Sequence, residues 1–131
     1  GGMATPSYYE GFQDKVVHIK NDFIEFLNTA KTQEKTVIGY GAAAKGNTLI
    51  NYAGINHELI PFVVDKNPAK QGKFLPGSRI PIKDPSEIEQ LKPDYVVILP
   101  WNIADEVKLQ LSHIKKWGAQ FVTAIPEIKI T

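Results

Sequence analysis

The chain has 131 residues and a mass of 14.6 kDa, which is room for one compact core and excludes a full bidomain enzyme within it. Apolar residues make up 43% of it and charged residues 22%, so disorder, collagen-like and coiled-coil architectures are excluded. No apolar run nears the roughly 18 residues a membrane-spanning helix needs, there is no cysteine for a disulfide, a thiolate metal site or a thiol nucleophile, and a net charge of +1 gives no general attraction to nucleic acid.

Gly1-Gly2-Met3 has neither a basic nor an apolar leader region and reads as an expression scar, leaving residues 4–131 as a single domain. From there Tyr8, Phe12, Val16, Ile19, Phe23, Phe26 and Leu27 recur at steps of three and four, one face of a long amphipathic helix that ends near Ala30. Residues 36–40 read as a short buried strand that runs into Gly41. An alanine-rich helix over 42–53 follows, with Gly54 at its C-cap. Residues 60–65 form a continuous apolar run that stops at an acid, as suits a parallel strand buried on both faces. The stretch 67–81, with three prolines and two glycines, predicts a loop, and 79–82 a short edge strand. Asp84-Pro85-Ser86-Glu87 supplies an N-cap, a first-turn proline and an N3 glutamate for a short helix through Leu91.

A strand over 95–99 comes next, then a turn at Pro100-Trp101-Asn102. Ile103, Val107, Leu111 and Ile114 then repeat at helical spacing, with acids early and lysines late, in keeping with the helix dipole. Gly118 ends that helix, and residues 120–125 make the last strand. Strands alternating with helices predict an α/β fold with a mostly parallel sheet covered on both faces: a Rossmann-like or flavodoxin-like three-layer sandwich preceded by a long N-terminal helix.

In such a sheet the ligand crevice lies beyond the carboxyl ends of the strands, where strand order reverses. Three segments are expected there: the turn over 39–48, the strand end Asp65-Lys66-Asn67, and Pro100-Trp101-Asn102. In the first, Gly39 and Gly41 supply G-x-G, and the third position of a dinucleotide fingerprint falls on Ala44, an accepted variant. Such a turn lets a diphosphate approach the backbone at the start of a helix, and it can equally be a structural glycine turn. A Walker-type loop fails, because Gly46 is followed by Asn47 and Thr48, and Lys45 precedes the glycine.

Asp65, 24 residues after Gly41, is placed to accept hydrogen bonds from a ribose diol or simply to cap the turn before Asn67-Pro68. Trp101 and Asn102 could stack on and bond a base or sugar, or cover a helix end. Residues 45–83 carry a net +4 against −3 for the remainder, so an anion would approach the middle of the chain, unless those lysines are only a solvated loop. His18, His57 and His113 lie on separate elements without metal-ligand spacing, and neither a nucleophile elbow nor an acid pair is present. No catalytic residue and no metal site is predicted.

The separated runs Val37-Ile38-Gly39-Tyr40-Gly41-Ala42-Ala43-Ala44-Lys45-Gly46-Asn47, Val63-Val64-Asp65-Lys66-Asn67-Pro68, Leu75-Pro76-Gly77, Ile80-Pro81-Ile82, Lys92-Pro93-Asp94-Tyr95, Leu99-Pro100-Trp101-Asn102 and Ile125-Pro126-Glu127 stand in the order that resembles the C-terminal domain of sugar-nucleotide C-methyltransferases. The match runs over about residues 8–130. The resemblance implies a three-part parent enzyme: a zinc-binding N-terminal domain, a central S-adenosylmethionine-binding methyltransferase domain, and this Rossmann-like domain. It further implies methylation of a carbon of a nucleoside-diphosphate keto-deoxysugar, usually dTDP-linked.

On that resemblance the domain forms one wall of the sugar-nucleotide pocket, with residues 41–47 and 100–102 facing the ligand and Lys45 neutralising the diphosphate. The implied binding residues are then Gly39, Tyr40, Gly41, Ala43, Lys45, Gly46, Asn47, Asp65, Pro100, Trp101 and Asn102. S-adenosylmethionine and zinc would belong to the upstream domains, with no cofactor held here. The expected partners are a dTDP-sugar and the upstream methyltransferase domain, with no nucleic acid or membrane, in the cytoplasm. Two other readings stay open: a free-standing nucleotide- or NAD-binding module, and a structural packing domain.

Overall fold

The computed structural model describes the backbone of residues 7–131 and the side chains from Lys15 onward. Gly1-Gly2-Met3 and the side chains of Tyr8 and Phe12 lie outside the described residues. The elements run α1 (Ser7–Thr32), β1 (Val37–Tyr40), α2 (Ala44–Ala53), β2 (Val63–Val64), β3 (Ile82–Lys83), α3 (Glu87–Leu91), β4 (Tyr95–Ile98), a 3₁₀ turn (Trp101–Ile103), α4 (Ala104–Gln110), a 3₁₀ helix (Ser112–Trp117), β5 (Gln120–Thr123) and β6 (Lys129–Ile130).

They build one six-stranded sheet in the order β3-β2-β1-β4-β5-β6, parallel except for the antiparallel β6. This is the Rossmann order and not the flavodoxin one, and it reverses between β1 and β4. Among the described residues no helix is long and apolar enough to cross a membrane.

Because successive strand residues point to opposite faces, two cores form. Val37 of β1 and Val97 of β4 pack with Phe23, Leu27 and Ile50 from α1 and α2, joined by Leu99. Ile38, Tyr40, Val96 and Ile98 pack with Ile88 of α3, Val107 of α4, and Leu111 and Ile114 beyond it. The register sets Gly39 against Val63 on one side and Val97 on the other. The periodicity that predicts α1 is seen in burial: Ile19, Phe23, Leu27 and Ala30 are nearly inaccessible, and Phe26 meets Tyr95 edge to face with centroids 5.0 Å apart.

Several boundaries differ from the sequence expectation for physical reasons. β2 is two residues long where 60–65 is predicted, because Pro61 has no N–H to give to a ladder. Single backbone bonds continue the pairing, including Phe62 O accepting from Gly39 N at 3.2 Å and Lys83 O accepting from Asp65 N at 3.0 Å. The edge strand starts at Ile82 and not at 79, since Arg79 sits at φ +63° in a turn and Pro81 pairs with Phe74 instead. Regular α3 starts at Glu87, yet the entry turn starts where expected: Asp84 Oδ1 accepts from the Ser86 N–H at 2.8 Å. That backbone bond is the main reason the exposed Asp84 carboxyl is held below its ordinary range.

The helix predicted through Ile114 tightens after Gln110 into a 3₁₀ helix. Its three-residue turn keeps Leu111 and Ile114 on the same buried side. The last strand stops at Thr123, and β6 is an addition: only Ile128-Lys129-Ile130 alternates there, too short a pattern to signal a strand.

One contact sets how close α2 comes to the sheet. A Cβ at Gly46 would lie 2.5 Å from Leu99 Cβ and 3.2 Å from its Cα, so the backbones meet at a distance only glycine permits. Gly46→Ala is expected to destabilise the fold by about 1–3 kcal/mol through overpacking, read from the midpoint of urea unfolding. An unchanged midpoint would contradict this contact.

Candidate functional site

Beyond the carboxyl ends of β1 and β2, at the point where strand order reverses, lies an open pocket of about 330 Å³. One bank is the glycine turn, contributing Tyr40, Gly41, Ala42 and Ala43; the second is the end of β2, with Asp65, Lys66 and Lys70; the third is Pro100 with the face of α4 and its entry, Ile103, Glu106, Val107 and Gln110. The chain can turn here because Gly41 adopts φ +88°, a left-handed conformation that a side chain disfavours. A Cβ there would also lie 2.7 Å from Pro100 Cδ. The turn is tied to β2 by the Gly41 N–H, which donates to Val64 O at 2.7 Å.

These positions change the register of the glycine fingerprint. The turn glycine is Gly41, and the glycine that permits close helix–sheet packing is Gly46, five residues on, with Ala43 between them at the N-cap of α2. That is the spacing G-x-A-x-x-G, two residues later than the sequence expectation. Gly39 is therefore an inner strand residue, where a Cβ would press on Val63 Cγ2 at 2.9 Å. Ala44, expected at the third position, is an exposed first residue of the helix.

Of the sequence-predicted residues, Tyr40, Gly41, Ala43, Asp65 and Pro100 come together in the pocket. Gly39 and Gly46 are packing residues below it. Lys45 is exposed on the first turn of α2, outside the lining, and Asn47 is partly buried with its Oδ1 lacking a hydrogen-bond partner. Trp101 and Asn102 face an adjoining depression of about 290 Å³ that shares Ile103 and Glu106 with the pocket. Lys66 lies in a segment the sequence places at this crevice, whereas Lys70, Glu106 and Gln110 are additions. The lysines were visible as part of the +4 segment, and 103, 106, 107 and 110 form a helical stripe facing the same end of the sheet.

The chemistry of the lining is mostly hydrogen bonding. Asp65 does what a turn-capping acid does: Oδ2 accepts from Ala42 N–H at 2.8 Å and Oδ1 from Asn67 N–H at 2.8 Å. Tyr40 is 5% exposed, and its hydroxyl donates to Gln110 Oε1 at 3.2 Å. Burial first, and then the negative charge of Asp65, push the Tyr40 phenol above its ordinary value. The first turn of α2 has no acidic residue and its N-cap Ala43 makes no side-chain bond; the negative charge at this helix start is that of Asp65, on the amide just before the N-cap. Among the described residues no three metal-ligating side chains converge.

A sheet in this order, with a glycine turn and a pocket at its reversal point, defines a Rossmann-like α/β domain. The family model described as the C-methyltransferase C-terminal domain matches residues 1–126, and the chain belongs to that family. It is similar to the C-methyltransferase NovU of Streptomyces niveus, 36% identical over 129 residues that cover 98% of this chain and 31% of that protein. The chain thus spans under a third of the length of this curated relative.

The raised Tyr40 has a measurable consequence. Its proton is held more tightly folded than unfolded, so the stability it contributes is complete below the ordinary tyrosine range and is lost as pH rises through the folded value. In an alkaline absorbance titration Tyr40 should ionise in a phase above the ordinary tyrosine range, and Tyr40→Phe should delete that late phase. A wild-type titration with no phase above the ordinary tyrosine range would refute the assignment.

Proposed function

We propose that the domain forms one wall of the sugar-nucleotide pocket of an S-adenosylmethionine-dependent C-methyltransferase that acts on a nucleoside-diphosphate keto-deoxysugar, dTDP-linked, and that it performs no catalysis alone. The observation that carries this reading is the pocket at the sheet's reversal point, bordered by the uncapped start of α2, in a chain that belongs to the C-methyltransferase C-terminal family. The backbone N–H groups at that helix start suit a diphosphate. Lys45 on the same turn and Lys66 and Lys70 across the pocket add positive charge. Trp101 and Asn102, next door, offer an indole face and an amide to the base or sugar.

The lining holds and orients; it does not remove protons. Asp65 is committed to two backbone amides and Tyr40 is pushed toward its protonated form. On this reading the methyl donor, the base that deprotonates beside the ketone, and zinc belong to other domains of the parent protein. Membership of the C-methyltransferase C-terminal family favours this reading over the nicotinamide-binding alternative. Leu109 of α4 is 78% exposed and the pocket-lining Ile103 41%, which favours a second contribution, packing against the parent's methyltransferase domain.

Incubated with S-adenosylmethionine and a dTDP-keto-sugar, the chain should transfer no methyl group, and measurable transfer would sink the reading.

Titration with dTDP, followed by NMR, should shift amides over residues 40–43, 65–70 and 100–107. Shifts confined to the opposite end of the strands, around Lys35 and Glu58, would contradict it. Lys45→Ala should keep the melting temperature and weaken dTDP binding by about fivefold, the low end for an exposed charge-assisted contact; unchanged affinity would remove Lys45 from the site.

A further inference from the structure

Residues 41–43 join β1 to α2 and belong to neither. The Gly41 N–H still bonds Val64 O, and beyond it Ala42 is held by side chains from the segment that follows β2. Ala42 donates its N–H to Asp65 Oδ2 at 2.8 Å, and its C=O accepts from Lys70 Nζ at 3.1 Å. The two peptide units on either side of the Ala42 Cα are therefore each held by a charged side chain. The two side chains also face each other, with Lys70 Nζ 3.9 Å from Asp65 Oδ2.

The loop that carries them is fastened in turn. Asp65 Oδ1 accepts from Asn67 N–H at 2.8 Å, Asn67 Oδ1 accepts from Ala69 N–H at 3.0 Å, and Gln71 Nε2 donates to Asp65 O at 2.8 Å. The Asp65 side chain is 15% exposed and that of Lys70 45%, so the carboxylate is the shielded half of the pair and its bonds are the less screened.

We infer that Asp65 and Lys70 are positioning residues that clamp the glycine turn from both sides and so set the shape of the pocket. This rests on the sugar-nucleotide reading of that pocket. The clamp fixes the turn before any ligand arrives, so binding does not have to order it. In this assignment Asp65 acts on the ligand through the turn it holds and not by reading the ribose, although it stands where a ribose-reading acid is expected.

The test uses the chain itself, ¹⁵N-labelled, as Asp65→Asn, Lys70→Met and Lys70→Arg, with dTDP as the probe and UDP and dUDP as a pair differing only in the 2′-hydroxyl. Asp65→Asn should speed exchange of the Ala42 amide by about tenfold, as expected for the loss of one charge-assisted bond. Lys70→Met should speed it by a smaller factor, and Lys70→Arg should restore it. Affinity for dTDP should fall severalfold in Asp65→Asn and in Lys70→Met, recover in Lys70→Arg, and fall equally for UDP and dUDP.

Unchanged Ala42 exchange in both Asp65→Asn and Lys70→Met would overturn the clamp; if Asp65→Asn does not fold, the Lys70 pair alone decides. Faster exchange with undiminished dTDP affinity would overturn its part in the pocket. A loss for UDP that exceeds the loss for dUDP would make Asp65 a ribose acceptor and overturn the assignment. If the wild-type chain binds no dTDP, the pocket reading fails and its ligand consequence with it, while amide exchange still decides whether the clamp exists.

Discussion

The close approach of α2 to the end of β4, where Gly46 leaves room for the backbone of Leu99, governs the geometry of the whole site. Leu99 is followed by Pro100, whose ring closes over Gly41. One short contact therefore docks the helix on the sheet and brings the two lips of the reversal point together. Were the helix lifted by a methyl group, its first turn, the glycine turn below it and the proline roof would separate. The pocket is in this sense a by-product of packing, and its precision is inherited from a core that is close-packed on both faces of the sheet.

Most of the architecture was legible because period and punctuation agreed. The α1 stripe, the apolar runs of β1 and β4, Gly54 and Gly118 as helix ends, and the acids and lysines at opposite ends of the α4 region all pointed the same way. What was not legible depends on three-dimensional proximity. A sequence offers Gly39, Gly41 and Gly46 as equals. Only the conformation at Gly41 and the neighbour of Gly46 show which is the turn and which the packing residue. Nor could the spacing from Gly41 to Asp65 show that the carboxylate reaches back to Ala42. β6 was invisible because two residues pairing with β5 carry almost no pattern of their own.

The basic middle of the chain divides once it is folded. Lys66 and Lys70 face the pocket, whereas Lys83 lies over the ring of Phe62 with its ammonium 4.8 Å from the centroid, and Lys45 stands in solvent. A net charge by segment thus does not separate the lysines that line the pocket from those that do not. Of the histidines, His18 lies 3.5 Å from Asp22, and the partly buried His113 packs edge-on against Trp117 near Glu89.

The two margins of the sheet share a property with consequences for behaviour in solution. β3 and β6 are each only two residues long and each carries a lysine, Lys83 on one side and Lys129 on the other. Pairing with a second chain through either margin would gain few backbone hydrogen bonds and would bring like charges together when identical margins meet. The β3 margin is covered besides, since Ile82 N–H donates to Lys73 O at 2.8 Å and Ile82 O accepts from Gly72 N–H at 2.9 Å, and a sheet with such margins is protected against growing into a continuous ribbon.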